Sequence, residues 1–581
     1  MPRKTAAIAL AALLTAPVAA LATPPSAPDF GPNVHVFDPA TPGLQQRIDA
    51  IYAAQQPNPF GPRRDAILLK PGTYRDLRIN VGFYTQVLGL GAQPGDVHVI
   101  GDLRATPFLD GDNATQNFWR GAENFAVTPT HGIGIGVGDN TMQWAVSQAV
   151  PFRRMHVRGN IRLNQKEGWS SGGWFSDVLV DGQVNAATQQ QWLSRNSEWA
   201  SWAGSNWNMV FVGVPQPPAG EFPTPGARHT KIARTPLVRE KPYLFIDAAG
   251  RYAVRVPALR RDSVGVSWQR GQPPGKTLPI TGFHIAKPGE TATALNAQLA
   301  AGKHLLFTPG EYVLTETLHV DRPGTVVLGI GFPTLRSDNG QPLMKTADVG
   351  GLTISGLFFD AGREDSGVLM EVGPPLSKAR HKANPTVLHD VFFRIGGAAP
   401  GRVNTALRIH AHDTLVDHTW LWRADHGEGV SWTSNPSAHG LIVDGEDVTI
   451  YGLFVEHFQD HQVVWRGNGG RVYFYQSELP YDPPTQGAWA SATGRGFASY
   501  KVADSVTRHE AWGLGVYSVF LQPDVLLDRA IEVPDKPGVR LHSLITVCLS
   551  DKGSIERIVN DRGEPARCKG GPNTATLKAF P

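Results

Sequence analysis

Three carboxylic acids stand at comparable places behind aromatic runs: Asp425 after Trp422-Arg423-Ala424, Glu456 after Leu453-Phe454-Val455, and Glu478 after Tyr475-Gln476-Ser477. Glu456 and Glu478 are 22 residues apart, and Asp425 precedes Glu456 by 31. Carboxyls brought close together repel, which raises one pKa and leaves a protonated acid beside an ionised base. Glycoside hydrolysis requires that pairing. A single acid is ordinarily a solvated surface group. Three at one phase among aromatics, in a chain with only 18% charged residues, suggest more than that. A calcium-binding turn is the competing use of the same oxygens.

Other reactive types are less pointed. Trp199, Trp202 and Trp207 crowd the first half and Trp420, Trp422 and Trp432 the second. Ring faces suit sugar C–H faces, although core packing is the ordinary role of such residues. His410 and His412 share a strand face, with Asp413, His418 and His426 behind them. Zinc could use such a set, but polar lining of a strand is the simpler reading. No phosphate-cradling loop, Gly-x-Ser-x-Gly elbow or dinucleotide fingerprint sits in a strand-to-helix setting, so neither cofactor nor metal is expected.

The elements that must position these acids show in internal repeats. Ile67-Leu68-Leu69-Lys70-Pro71-Gly72-Thr73-Tyr74 reappears as Leu305-Leu306-Phe307-Thr308-Pro309-Gly310-Glu311-Tyr312, and Val87-Leu88-Gly89-Leu90-Gly91 as Val327-Leu328-Gly329-Ile330-Gly331. An amphipathic stretch precedes each copy, at 44–55 and 292–301, and reads as a short helix. With 581 residues, two or more domains are expected. The Pro/Gly-rich run from Val214 to Gly226 reads as a surface loop, and the turn-rich Gln272-Pro273-Pro274-Gly275 places the domain boundary near residue 275. In the second half Leu352-Thr353-Ile354-Ser355-Gly356-Leu357-Phe358 recurs 96 residues later as Val448-Thr449-Ile450-Tyr451-Gly452-Leu453-Phe454, an interval of four turns of 24. Strand-like runs every 22 to 35 residues suit stacked coils of a parallel β-helix rather than a sandwich. The expected fold is all-β, with two tandem β-helix domains at 23–275 and 276–581. Corners of adjacent coils lie about 4.8 Å apart, so acids one coil apart in sequence can share one groove.

Arg3 and Lys4, the apolar run Ala6 to Ala16 and the Ala20-Leu21-Ala22 site form a secretory signal at 1–22, with cleavage near Ala22. Export makes a disulfide the expected state of Cys548 and Cys568, with two free thiols as the rival. A loop of that length stabilises by ~3 kcal/mol. The net charge of +3 has no concentrated basic run, which argues against nucleic acid. Beyond the N-terminus no apolar stretch is long enough to span a membrane.

With these residues placed, the sequence resembles glycoside hydrolase family 55, and within it the bacterial exo-β-1,3-glucanases. The motifs are Val472 to Asp482, Leu421 to Gly427, Gly452 to Phe458, Trp144 to Ala149 and Ser170 to Gly173, and the likeness runs from about Phe30 to the C-terminus. The resemblance implies paired right-handed β-helices with a shared cleft, acting on β-1,3-glucan with inversion. It implies Glu478 as the general acid and Glu456 as the base. Gln148 and Ser171, or its neighbour Ser170, would hold the water, and Asp425 would bind sugar hydroxyls. Trp422, His426 and Tyr481, inside the same motifs, are assigned to the substrate. A secreted monomer with no cofactor is expected. Endo-action on the same site, a β-helix polysaccharide lyase and a non-catalytic glycan-binding protein are the alternatives.

Overall fold

The computed structural model describes Met1 and residues 27–131, 140–337 and 339–581. The signal segment and its cleavage site near Ala22 therefore lie outside the described residues. The chain is nearly all β and its long sheets are parallel. Nine strands stack in sequence order from Val34–Phe37 to His229–Ile232, every neighbour parallel. From Phe283 on, a fourteen-stranded and an eight-stranded sheet repeat the pattern. Register partners in the two long stacks are separated by 17 (Leu193 and Val210) to 39 residues (Arg471 and Glu510), because the chain visits another sheet between them. That course is a parallel β-helix.

The 96-residue repeat spans three coils rather than four. Thr353 pairs with Val387, Val387 with Leu415 and Leu415 with Thr449, in steps of 34, 28 and 34. Corner loops lengthen each coil beyond the 24 residues that an even division assumes. Among the described residues the only α-helices are Leu44–Gln55 and Ala292–Ala300. Each covers the open start of a stack, burying Ile48 and Ile51 in the first core, and Leu295 and Leu299 in the second.

The repeated motif folds the same way twice. The Tyr74 hydroxyl donates to Phe37 O and Lys70 O, and the Tyr312 hydroxyl to Ala286 O and Thr308 O. Gly72 and Gly310, at φ 146° and 150°, turn the chain where a Cβ would strike Pro39 or Pro288. Alternation then sends one face of each strand inward and the other outward. Val87 and Val327 enter their own cores. Leu88 and Leu328 instead meet in one cluster with Leu68, Leu90, Leu306 and Ile330, so the two copies pack outer face to outer face.

Farther along, aromatics take over that contact: Trp119, Trp174 and Val210 of the first stack meet Trp420, Phe454 and Phe474 of the second. Buried ions cross it too. Arg153 donates to Asp390 and Asp417, Arg195 to Asp417, and Lys241 pairs with Asp390 at 3.4 Å, while Glu240 and Glu123 brace Arg195 and Lys241 from their own side. At this face each long strand kinks at one left-handed residue: Asp390, His418, Gly452, Phe474, Gly513 and Ser543. Neighbours kink together, so the register on either side is unchanged.

Between the stacks, Tyr243–Ile246, Tyr252–Pro257 and Gly275–Pro279 form an antiparallel sheet. The boundary expected at residue 275 falls on the first residue of its last strand. The loop from Val214 is pinned by Phe222, buried against Tyr517, Ile545 and Val547. Thr574–Phe580 closes the second stack antiparallel to Val539–Cys548, whose last residue is disulfide-bonded to Cys568.

Asp417 is the carboxylate that two buried guanidinium groups share. Asp417→Ala leaves both short of a partner and should destabilise the protein by about 3–5 kcal/mol. Denaturant unfolding measures this, and a loss under about 1 kcal/mol would mean that the network is not holding the stacks together.

Candidate active site

Glu456 and Glu478 end the strands Thr449–Glu456 and Gly470–Glu478 and are direct register partners, so their side chains leave the same face one coil apart. Asp425 is not at their phase. The register partner of Glu456 on the preceding coil is Trp422, and Asp425 lies three residues beyond it, past the strand end. The corner loop nevertheless returns Asp425 to the same place. One cavity of about 230 Å³ is lined by Glu456, Glu478, Asp425, Trp422, His426 and Tyr481, and across from them by Gln148 and Ser171 of the first stack. All eight residues expected from the sequence meet there. Ser170 is buried and does not line it.

The partners of the two glutamates differ. Trp420 Nε1–H donates to Glu456 Oε2, and Gln148 Nε2–H to Glu456 Oε1, both at 2.8 Å. The Tyr481 hydroxyl donates to Glu478 Oε2. Burial pushes the Glu456 pKa well above the carboxylate range, and the neighbouring Glu478 pushes it further. Burial also raises Glu478, while His457 and Tyr481 pull it back and Asp425 adds to the rise. This pair resists carrying two charges at once. Burial alone would raise Asp425 as well, but His457 and His426 outweigh it and hold its pKa at about 2. Gln148 Oε1 is buried without a partner among the described residues, leaving an acceptor at the cavity wall.

One buried arginine sets the geometry. Arg423 bonds both carboxylate oxygens of Asp482 at 3.0 Å and the carbonyls of Asn435, Ser431 and His457, which engages its whole guanidinium fork. It thereby ties the segment carrying Tyr481 to the turn carrying His457. The sequence motifs contained Arg423, Asp482 and His457 but gave no sign of these partnerships. Phe118, Gln190 and Leu549 also line the cavity without any sequence signal. Leu549 directly follows the disulfide-bonded Cys548.

Of the six tryptophans singled out, Trp422 alone lines the cavity; its ring is 1% exposed and stacks on Trp420 at 5.1 Å. Trp199 and Trp202 pack with Phe211, Trp207 on Tyr517, and Trp432 beneath Arg423. The histidines disperse as well. His410 pairs with Asp444, His412 accepts from Glu446 N, His418 bonds Asp390 and His426 bonds Asp425. Among the described residues no group of three or more ligand-type side chains is arranged to hold a metal.

A parallel β-helix that encloses a coupled carboxyl pair within aromatic and hydrogen-bonding walls has the make-up of a glycoside hydrolase. Similarity to known proteins narrows the class. Residues 283–478 match the family model of the LAM55 pectate lyase-like domain. The chain is 46% identical over 539 residues to an exo-β-1,3-glucanase of Streptomyces sp. SirexAA-E, covering 92% of this chain and 87% of that one. The solved structure of sacteLam55A from Streptomyces sp. SirexAA-E is 45% identical, with a TM-score of 0.92 over 95% of this chain and 99% of that one. A glutamate-to-alanine variant of sacteLam55A in complex with glucose matches at the same TM-score and identity, over 96% and 99%. The chain belongs to glycoside hydrolase family 55.

Opposite pKa changes should follow from two substitutions. Tyr481→Phe removes a donor to the Glu478 carboxylate and should raise its pKa, whereas Asp425→Asn removes a nearby negative charge and should lower it. Carboxyl ¹³C NMR titration reads both, and shifts of the same sign would contradict this electrostatic picture.

Proposed function

We propose that the protein is a secreted, inverting exo-β-1,3-glucanase that releases glucose from β-1,3-glucan. The relative named exo-β-1,3-glucanase and the glucose complex of sacteLam55A support the substrate and the exo mode. The observation that carries the mechanism is the register pair Glu456 and Glu478, with Gln148 reaching Glu456 from the opposite stack. In this reading Glu478 is the general acid and protonates the departing glycosidic oxygen. Glu456, held by Gln148 and Trp420, is the base that takes a proton from water on the far side of the sugar ring. Gln148 Oε1 and Ser171 position that water. Asp425, ionised, accepts from sugar hydroxyls with His426 and Tyr481 beside it, and Trp422 forms part of the wall.

Inversion needs carboxyls ~6.5–9.5 Å apart, and adjacent coils alone bring their backbones closer than that. Different partners can splay the pair: Trp420, on the preceding coil, and Gln148 hold Glu456, while Tyr481, three residues on, holds Glu478. The reading includes two tandem right-handed β-helix domains, 23–275 and 276–581, each supplying one wall of the cleft. The duplicated motif and the outer-face contact support it. Export after cleavage near Ala22 rests on the signal pattern at 1–22. The protein acts as a monomer.

Proton NMR of laminarioligosaccharide hydrolysis should show α-glucose first, before mutarotation. Early β-glucose would overturn inversion, and early longer oligosaccharides would overturn the exo mode. Glu478→Gln should retain binding and lose turnover by about 10²- to 10⁴-fold. A variant keeping more than about a tenth of the activity removes Glu478 from the acid's role. Glu456→Gln should be impaired on the same scale, and near-normal kinetics would move the base elsewhere.

A further inference from the structure

Away from the carboxyl pair, a cleft of about 620 Å³ opens where the antiparallel sheet meets the early coils of the second stack, and it shares no residue with the catalytic cavity. Arg239, Lys276, His304 and Arg322 line it, and no carboxylate does. Among the described residues neither Arg239 nor Lys276 nor Arg322 forms an ion pair. Arg239 is only 8% exposed, and its bonds go to the neutral Asn384 Oδ1 at 2.6 Å and Pro385 O at 3.3 Å. Its Nε is buried with no partner, and so is the Oγ1 of Thr353, which is 1% exposed and lines the same cleft.

Two carbonyl-type acceptors do not neutralise a guanidinium, so its desolvation is left without a compensating charge. Burial accordingly lowers the Arg239 pKa. Val326 N–H donates to His304 Nδ1, which leaves Nε2–H as the donor of the neutral ring. Burial, helped by Arg322, holds that ring neutral, with a pKa of about 4. The other wall is apolar, made by Val256, Leu278, Pro323 and Val326.

We infer that this cleft binds a small sugar-sized oxyanion, a sugar acid or sugar phosphate, with the charge on Arg239, Lys276 and Arg322 and the body against the apolar wall. Charge-assisted bonds to a planar guanidinium suit carboxylate and phosphate alike. This inference is independent of the roles proposed for Glu456 and Glu478.

The test is calorimetry on the full chain of the Glu478→Gln variant, its catalytic cavity first saturated with laminarioligosaccharide. Glucuronate and glucose 6-phosphate are the probes, with glucose and inorganic phosphate as controls. Both probes should bind at one site per chain. Adding Lys276→Gln, at an exposed position, should weaken them about tenfold. Adding Arg239→Gln should abolish binding. If that variant melts early, Lys276→Gln combined with Arg322→Gln decides. No heat from either probe at about 10 mM overturns the inference, as does affinity unchanged by the substitutions. Inorganic phosphate binding as tightly as glucose 6-phosphate overturns the role of the apolar wall.

Discussion

The contact between the outer faces of the two stacks is the constraint on which the rest depends. A lone β-helix turns its outer faces to water, and there they are ordinarily polar. Here Leu88 and Leu328, then Trp119, Trp174, Trp420 and Phe454, make those faces apolar, and each stack needs the other to cover it. Arg153 and Asp417 add a second requirement. Their charges have left water and are satisfied only across the contact, so a misaligned pair would expose buried ions to one another's absence. Apolar area provides most of the attraction, and the ions fix the alignment.

That alignment is what brings chemistry to the carboxyl pair. Register pairing alone stacks Glu456 on Glu478, a repulsive arrangement in a largely enclosed site. Gln148 from the facing stack and Trp420 from the preceding coil hold one carboxyl, and Tyr481 holds the other. Arg423 then keeps the Tyr481 segment in place through Asp482. The pair is preorganised by hydrogen bonds that exist before any sugar arrives. Its coupled ionisation follows from the same enclosure, because burial raises both groups and Glu478 raises Glu456 further.

The molecule thus carries charge in two unlike ways. At the stack contact, cations and anions are matched and closed to solvent. In the cleft beside the antiparallel sheet, cations stand without carboxylates, one of them almost wholly buried. A chain with a net charge of only +3 does not need such a cluster for solubility, and its concentration beside an apolar wall is a local feature.

Much of this was legible along the chain. The duplicated Pro-Gly-x-Tyr motif, the strand rhythm and the 22-residue step from Glu456 to Glu478 are local signals, set by alternation, turn chemistry and coil length, and they predicted the β-helix and its paired acids. Counting coils failed where corner loops stretched them, and the phase assigned to Asp425 failed for the same reason: loop length is free to vary while strand register is not. Gln148 and Ser171 were found by resemblance, since nothing in their own surroundings announces a partner 308 residues away on Glu456. The sequence by itself determined which residues alternate inward and that Glu456 and Glu478 share a groove, because those follow from period and spacing. Only the tertiary structure decided that the two stacks meet through their outer faces, that Arg153 answers Asp417, and that Arg423 clamps Asp482. Those choices rest on burial and on the direction of side chains across long separations, which no short window of sequence contains.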